Sequence, residues 1–207
     1  MLISRWLKMM ESLGLPENRD SYNKLVDAYS EKHRQYHNVS HLCSVLSRLD
    51  EVEHLTEQKD EIELALWFHD AVYKPFSKSN ESDSADWARK FLDENDMSEQ
   101  VQERVHRLVM ATSHSSVPKS DDEKLIVDID LSILGKAEDQ YAQFETGVRA
   151  EYRKVPSCIY ARSRKAVLRG FLQRDRIYSS ELFYGALERQ ARKNLQDELS
   201  RLQGGEV

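Results

Sequence analysis

Apolar residues recur three and four positions apart in one segment of this chain after another. This spacing places them on one face of an α-helix, so each such segment is predicted to be a helix that buries that face. The clearest stripes run over 42–52 and 101–112. Glycine and proline, which interrupt helices, number only seven and four in 207 residues, few for an all-β protein. We therefore predict an all-α fold, a helical bundle.

The length of 207 residues is most simply that of one domain. We predict a single helical domain over 1–207, with a core at about 20–175 and a C-terminal helix at about 180–203. That last helix packs either on the core or on a partner subunit. A homodimer is therefore one of two arrangements that the sequence leaves open.

Charge and cysteine usage narrow the class of protein. Charged residues make up 32% of the chain and the net charge is −6, so the sequence lacks the basic excess of a nucleic-acid-binding surface. Cys43 and Cys158 make no disulfide framework. No signal peptide and no membrane span is predicted. We expect a cytoplasmic protein whose partners include neither a membrane nor a nucleic-acid polymer.

Three histidines lie within or beside apolar stripes. His41 precedes Val45 by one turn and therefore points toward the apolar side of its helix, and His37, four residues earlier, shares its face if the helix is continuous. His69 lies in a predicted helix at about 59–73, with apolar or aromatic residues three and four positions away on both sides. Histidines in such positions are either packed core residues or ligands.

Two carboxylates lie in apolar surroundings and require partners, because a buried, unpaired charge is costly. Asp70 is near a helix C-terminus, which disfavours negative charge, so a metal ion is its strongest candidate partner and a cap or salt bridge the alternative. The run 125–134 is predicted to be a helix rather than a buried strand because many helices flank it and Gly135 follows it. On that helix Asp130 has apolar neighbours on both sides, so it is the first candidate ligand and Asp128 the second.

Four segments resemble the HD superfamily of metal-dependent phosphohydrolases, most closely a bacterial branch of predicted HD-domain proteins. They are Tyr-His-Asn-x-x-His at 36–41, Trp-Phe-His-Asp-x-Val-Tyr at 67–73, Asn-Glu-x-x-Ser-Ala at 80–85 and Asp-x-Asp-Leu-x-Ile-Leu-Gly at 128–135. With weaker similarities further along, the resemblance covers most of the chain. It implies an HD-type helical bundle that hydrolyses the phosphate ester of a small substrate, a nucleotide among the candidates, with metal-activated water as the nucleophile.

The resemblance also implies a ligand set for the metal. The residues that match the family's ligands are His41, His69, Asp70 and Asp130. A mixed nitrogen and oxygen set of this kind suits a divalent Mn, Fe, Co, Ni or Mg ion, and Zn remains an option. One metal site is expected. A second ion, with His114 or His106 as a further ligand, is left open.

Roles for the surrounding residues are assigned partly from the same resemblance and partly from their positions next to the proposed ligands, since Arg34 lies one turn before His37 and Lys74 one turn after Asp70. The 36–41 segment is also similar to the His-Asn-x-x-His segment of cyclic-nucleotide phosphodiesterases, whose first histidine protonates the leaving oxygen, and this makes His37 the general acid. Glu81 is expected to orient the attacking water. The residues expected to contact the substrate are Arg34, Lys74 and His114. For Arg34 and Lys74 the alternative is an ordinary surface cation.

Two other classes of function remain open at this point. One is a catalytically silent regulatory module that binds a metal or a nucleotide, and the other is an HD-fold di-iron oxygenase, which needs additional histidine ligands. No Walker loop or Rossmann fingerprint is present, so the sequence does not identify the substrate.

Overall fold

The computed structural model describes residues 2–114 and 117–204, and all regular secondary structure within them is helical. The all-α prediction is therefore confirmed. The α-helices are α1 (Leu2–Ser12), α2 (Arg19–Tyr29), α3 (Val39–Val52), α4 (Lys59–Phe68), α5 (Asn80–Asp93), α6 (Glu99–Ala111), α7 (Asp121–Asp130), α8 (Glu138–Glu151), α9 (Ser157–Leu172) and α10 (Glu181–Gly204). Two 3-10 segments, Glu53–Leu55 and Leu131–Gly135, follow α3 and α7.

The chain divides into two compact units, Met1–Ile129 and Asp130–Val207. The boundary falls inside α7, so Asp130 is the last residue of a helix that otherwise belongs to the first unit. The second unit continues with Leu131–Gly135 and α8 to α10. That the whole chain forms one HD-type domain stays a prediction.

Helix α4 is the central element of the first unit, where it packs against α1, α3, α5 and α6. Every residue of 61–68 is buried, in accord with a sequence that is apolar on nearly all sides. Trp67 lies edge-on against Trp6 of α1, with ring centroids 5.2 Å apart. The histidine that follows α4 is therefore held at the end of the most enclosed helix of the unit.

Two glutamates of this buried helix are paired with arginines from neighbouring helices. Glu63 accepts two hydrogen bonds from Arg5 of α1, at 2.8 and 2.9 Å, and Glu61 accepts two from Arg104 of α6, at 2.7 and 2.6 Å. Forked pairs of this type satisfy both carboxylate oxygens. They explain how α4 carries charge and still lies in the core.

Helix α4 ends earlier than its sequence pattern predicts, at Phe68 rather than near Tyr73. His69 is the C-cap and keeps helical dihedrals, after which the chain turns away. The buried Arg34 guanidinium donates to the carbonyl oxygens of Asp70 and Ala71, at 2.5 and 3.0 Å, and so satisfies backbone acceptors that follow the helix. The prediction of a continuous helix over 59–73 was wrong because this partner comes from a distant part of the chain.

Helix α3 begins at Val39, so His37 lies before the helix and not on it. Asn38 is the N-cap, with extended dihedrals, and its side-chain oxygen accepts hydrogen bonds from the backbone N–H groups of Ser40 and His41, at 2.9 and 3.4 Å. Asparagine is among the preferred residues at this position because it satisfies otherwise unpaired N–H groups. The interpretation of His37 and His41 as neighbours on one helical face is therefore corrected.

In the second unit, α10 packs on α9 and on the 3-10 segment Leu131–Gly135. The C-terminal helix predicted at about 180–203 is α10. A Cβ atom at Gly135 would lie 2.5 Å from the Cβ of Leu187 and 2.9 Å from its carbonyl oxygen, so only glycine permits this close approach. The Tyr178 hydroxyl strengthens the contact by donating to the carbonyl of Leu131 at 3.0 Å.

Helix α10 is 24 residues long but carries charged side chains along its whole length. Among the described residues, no helix combines the length and the apolarity needed to cross a bilayer.

Candidate metal centre

His41 and His69 are brought together by the start of α3 and the end of α4. His41 lies one turn inside α3, and its backbone N–H is held by the Asn38 cap. Both imidazoles are buried, His41 with 5% and His69 with 2% of its surface exposed. The Nε2 atoms of the two rings face each other at 3.1 Å.

The hydrogen bonding of His69 fixes which of its nitrogens is available to a ligand. Nδ1 lies 2.8 Å from the carbonyl oxygen of Leu66, and a carbonyl only accepts, so Nδ1 carries the proton. In the neutral ring the lone pair is then on Nε2, the atom that faces His41. A second-sphere carbonyl commonly orients metal-binding histidines in this way.

Asp70 completes a triangle of three potential ligand atoms. Its Oδ2 lies 3.1 Å from Nε2 of His69 and 3.4 Å from Nε2 of His41, so the edges are 3.1, 3.1 and 3.4 Å. Ligands 2.1 Å from one cation are separated by about 3.0 Å in octahedral and about 3.4 Å in tetrahedral geometry. The donor set and the edge lengths of this triangle therefore fit a divalent first-row metal or magnesium.

The end of α4 explains how the side chains of His69 and Asp70, which are adjacent in sequence, can face the same ligand position. Side chains of consecutive helical residues diverge by about 100°, but the helix stops at Phe68 and the backbone turns after His69. The backbone N–H of Asp70 donates to the Tyr29 hydroxyl at 3.2 Å, and the same hydroxyl lies 3.5 Å from Nδ1 of His69. Tyr29 therefore contacts both residues and holds the turn that aims them together.

Asp130 belongs to a second set of donor atoms at this position. One ligand atom from each of His41, His69 and Asp130 lies within 4.8 Å of the others, and such a group could hold a metal ion. The burial of the two aspartates is the reverse of the sequence-based ranking, since Asp128 is fully buried and Asp130 is partly exposed. Even so, the group of side chains that could hold a metal ion contains Asp130 and not Asp128.

The Asp70 carboxyl is ionised at neutral pH. Burial opposes its charge, but the positive charges that His69 and His37 carry when protonated, with the hydrogen bonds that protonated His41 and His69 donate, outweigh that effect and lower the pKa of Asp70 well below its usual range. Asp70 therefore presents a carboxylate to a cation without first losing a proton.

This charge state predicts how metal binding depends on pH. Imidazoles must be neutral to bind, so the logarithm of the affinity for Mn²⁺ should rise with pH while the two ligand imidazoles lose their protons, with a slope of up to two, and then level off. Asp70 adds nothing to the slope because its pKa is held well below its usual range, so its carboxyl is already ionised. Competition titration against a chromophoric chelator at several pH values measures the slope. Replacing Asp70 with asparagine should lower the affinity but keep the slope, and a flat wild-type profile would contradict the assignment of two histidine ligands.

His37 lies beside the triangle, outside α3. Its ring stacks on that of Tyr73, with centroids 4.2 Å apart and planes 25° from parallel, and its centroid is 6.0 Å from that of His41. Its charge also lowers the pKa of the Asp70 carboxyl, which places it within electrostatic range of that group. The role of His37 as a general acid stays a prediction.

Arg34 lies under the site rather than at its surface. Its side chain is fully buried between the rings of Tyr29 and Tyr73, 5.3 and 5.5 Å from their centroids. Its NH1 atom donates to the carbonyls of His37 and Asp70, at 3.2 and 2.5 Å. These contacts favour a positioning role over the predicted contact with substrate.

The remaining predicted residues lie on separate elements. Lys74 is exposed, and its backbone N–H and carbonyl are held by the Asn80 side chain; Glu81 is the second residue of α5 and partly exposed. His114 follows α6 with a left-handed backbone, φ +55°, and the residues after it, 115–116, lie outside the described part of the chain. His106, the other candidate for a second metal, faces Asp86 of α5 at 3.5 Å.

Two tyrosines of the site were missed by the sequence analysis. Tyr29 contacts His69 and Asp70 from 40 residues away, and Tyr73 stacks on His37 and also receives a contact from Nε2 of His33 at its carbonyl oxygen, 2.9 Å away. Tyr73 stood inside the Trp-Phe-His-Asp-x-Val-Tyr segment, so the motif itself was a signal for it. Nothing in the sequence near Tyr29 indicated its role.

Comparison of the chain with family models, with curated proteins and with solved structures found no match.

Proposed function

We propose that this chain is a divalent-metal-dependent phosphohydrolase of the HD type that cleaves a phosphate ester with water. The observation that carries the proposal is the triangle of the buried His41 and His69 with the partly exposed Asp70, with edges of 3.1 to 3.4 Å. These three residues would hold the ion, and Asp130 would be the fourth ligand. A bound divalent ion supplies Lewis-acid polarisation of a phosphoryl oxygen and lowers the pKa of water toward neutrality.

His37 has the surroundings that a general acid requires. Its ring is held by stacking on Tyr73, and its backbone carbonyl is fixed by Arg34, so the imidazole has a defined position beside the ligands. In this proposal it gives a ring proton to the leaving oxygen as the ester bond breaks. Glu81 orients the attacking water, and Lys74 and His114 bind the phosphate or the rest of the substrate.

The experiment that tests the function starts from elemental analysis of the purified protein. Stoichiometric Mn, Fe, Co, Ni, Mg or Zn is expected, and phosphate release is then measured over a panel of nucleotides, sugar phosphates and cyclic dinucleotides with that metal. Release from at least one ester that stops on chelation supports the proposal. Metal binding without turnover across the panel would instead support a silent regulatory module, and two irons with a visible absorption band would support an oxygenase.

Replacing His37 with asparagine is expected to separate catalysis from metal binding. The variant should keep a full equivalent of metal, because His37 contributes none of the triangle's atoms. Its kcat should fall by about 10²- to 10⁴-fold, the usual contribution of a positioned general acid. Metal content and steady-state kinetics on the best ester of the panel measure the two effects.

The matched control is His54→Asn, the same exchange at an exposed histidine in the 3-10 segment after α3. It should change neither quantity. If His37→Asn turns over at the wild-type rate, His37 has no part in the mechanism.

A further inference from the structure

The chain that follows α4 has its backbone held by side chains. Each residue from 70 to 74 hydrogen-bonds through its main chain to a side chain of the same unit, at 2.5 to 3.0 Å. These side chains are Arg34 for Asp70 and Ala71, and Ser84, His33 and Asn80 for Val72, Tyr73 and Lys74 in turn. Backbone polar groups outside regular helices need such partners where water does not reach them. The path of this segment is therefore fixed by four side chains.

Two of these four side chains come from the segment that carries His37. His33 and Arg34 lie four and three residues before His37, in the connection between α2 and α3. Both bind backbone carbonyls of the chain after α4, so the two segments are tied together at several points. The position of His37 relative to the proposed ligand Asp70 therefore depends on the contacts that His33 and Arg34 make.

His33 contacts Tyr73 through both its N–H group and its ring. Nε2 of His33 lies 2.9 Å from the carbonyl oxygen of Tyr73, which only accepts, so Nε2 carries the proton. The two rings are also nearly parallel, with planes 7° apart and centroids separated by 6.2 Å. Tyr73 is buried, and its ring stacks on that of His37 with centroids 4.2 Å apart. A chain of contacts therefore leads from His33 through Tyr73 to His37.

Neither burial nor metal binding explains a histidine at position 33. Its side chain is 36% exposed, so it is not a core residue, and it supplies no atom to the triangle of proposed ligands. Its Nε2 lies 3.9 Å from the Glu31 carboxylate, and exposed pairs at such distances contribute little. The contacts with Tyr73 are therefore the feature of His33 that requires an explanation.

We propose that His33 is a positioning residue of this site, which fixes Tyr73 and thereby holds the His37 ring in place for proton transfer. The proposal rests on the proposed function, in which His37 protonates the leaving oxygen. A general acid acts over hydrogen-bond distances of about 2.6–3.2 Å, and a misplacement of about 1 Å costs about 10²-fold in rate. Loss of His33 should therefore lower the rate without removing a group that binds the metal or the substrate.

The test measures kcat, KM and the affinity for Mn²⁺ in His33→Ala and His33→Gln. The alanine variant should lose about 10- to 100-fold in kcat, with KM and the metal affinity unchanged. The amide nitrogen of glutamine is as many bonds from the backbone as Nε2 of histidine and also donates, so His33→Gln should recover most of the rate. The matched control is His54→Ala, at an exposed histidine, which should change none of the three quantities.

A double variant decides whether the effect passes through His37. If His33 acts by positioning that ring, His33→Ala should lower kcat no further in protein that already carries His37→Asn. A residue that supports the fold as a whole would lower the rate by a similar factor in both backgrounds. Equal factors in the two backgrounds, a wild-type kcat in His33→Ala, or a loss of Mn²⁺ affinity in that variant would overturn the proposal.

Proton NMR of the metal-free protein keeps this proposal separable from the proposed function, because it needs no turnover. The stacked Tyr73 ring shifts the signals of the carbon-bound imidazole protons of His37, which are assigned by their absence from His37→Asn. In His33→Ala these signals should move toward those of an unstacked histidine, and in His33→Gln they should stay near their wild-type positions. Such a movement would support the positioning role even if no ester is hydrolysed. Unmoved signals in the alanine variant would remove that role and leave the hydrolase standing.

Discussion

Replacing His69 with alanine is expected to abolish stoichiometric metal binding and, with it, all hydrolysis. Nε2 of His69 forms two of the triangle's three edges, each 3.1 Å long, and its proton position is fixed by the Leu66 carbonyl. Losing a residue that only orients a ligand typically costs about 10- to 100-fold in metal affinity, so losing the ligand itself should cost more than about 100-fold. Elemental analysis after dialysis and titration with Mn²⁺ measure the loss.

The matched control is His54→Ala, at an exposed histidine, which should keep both metal and activity. Because His69 is buried, its removal also leaves a cavity, and the unfolding transition of both variants must be recorded without metal. A folded His69→Ala protein that retains a full equivalent of metal and full phosphate release would falsify the assignment of the centre.

The sequence predicted the elements that carry the site because local patterns decide them. Periodic apolar residues located α3, α4, α6 and α10. The run 125–134, predicted to be one helix from its helical neighbours and from Gly135, is α-helical as far as Asp130 and a 3-10 helix over Leu131–Gly135. Asn38, the N-cap of α3, also belongs to a residue type that is common at the start of helices, so the sequence contained a signal for this helix boundary. Its consequence for His37 was missed, since a helix that starts at Val39 leaves that histidine outside.

Details that depend on contacts distant in sequence could not be predicted from local patterns. No glycine or proline marks the end of α4, and the partners of the next carbonyls come from Arg34, 36 and 37 residues away. The burial of Asp128 and Asp130 was ranked by neighbours on their own helix. The structure reverses that ranking, because the exposure of a helical side chain depends on everything packed around it.

The triangle of His41, His69 and Asp70 could be predicted only in part from local patterns. Apolar surroundings indicated that His41 and His69 are buried, and both are. Their meeting was expected only from the resemblance to the HD superfamily, because helical periodicity says nothing about which helices are neighbours. The contacts of His41, His69 and Asp70 with one another support that expectation.

Arg34→Met is expected to destabilise the protein and weaken its metal site together. Methionine fills much of the buried space but donates no hydrogen bonds, so the carbonyls of His37, Asp70 and Ala71 lose their donor. Unsatisfied buried acceptors cost about 1–3 kcal/mol each, partly offset by relaxation, so we expect a loss of about 3 kcal/mol. In a chain of this length that lowers the Tm by roughly 6–12 °C. Urea denaturation of the metal-free protein measures the change in unfolding free energy.

The metal affinity is the readout that separates positioning from contact with substrate. Arg34 holds the carbonyl of the ligand Asp70, so Arg34→Met should bind Mn²⁺ about 10- to 100-fold more weakly, as expected for a residue that supports a ligand. Arg34→Lys should recover little, because one ammonium cannot reproduce the planar fork that reaches carbonyls on two segments. Arg19→Met, which removes an exposed arginine paired with Glu17, is the control and should change neither quantity. An Arg34→Met protein with wild-type stability and metal affinity but a raised KM would show instead that this guanidinium binds the substrate, as its place in the sequence first indicated.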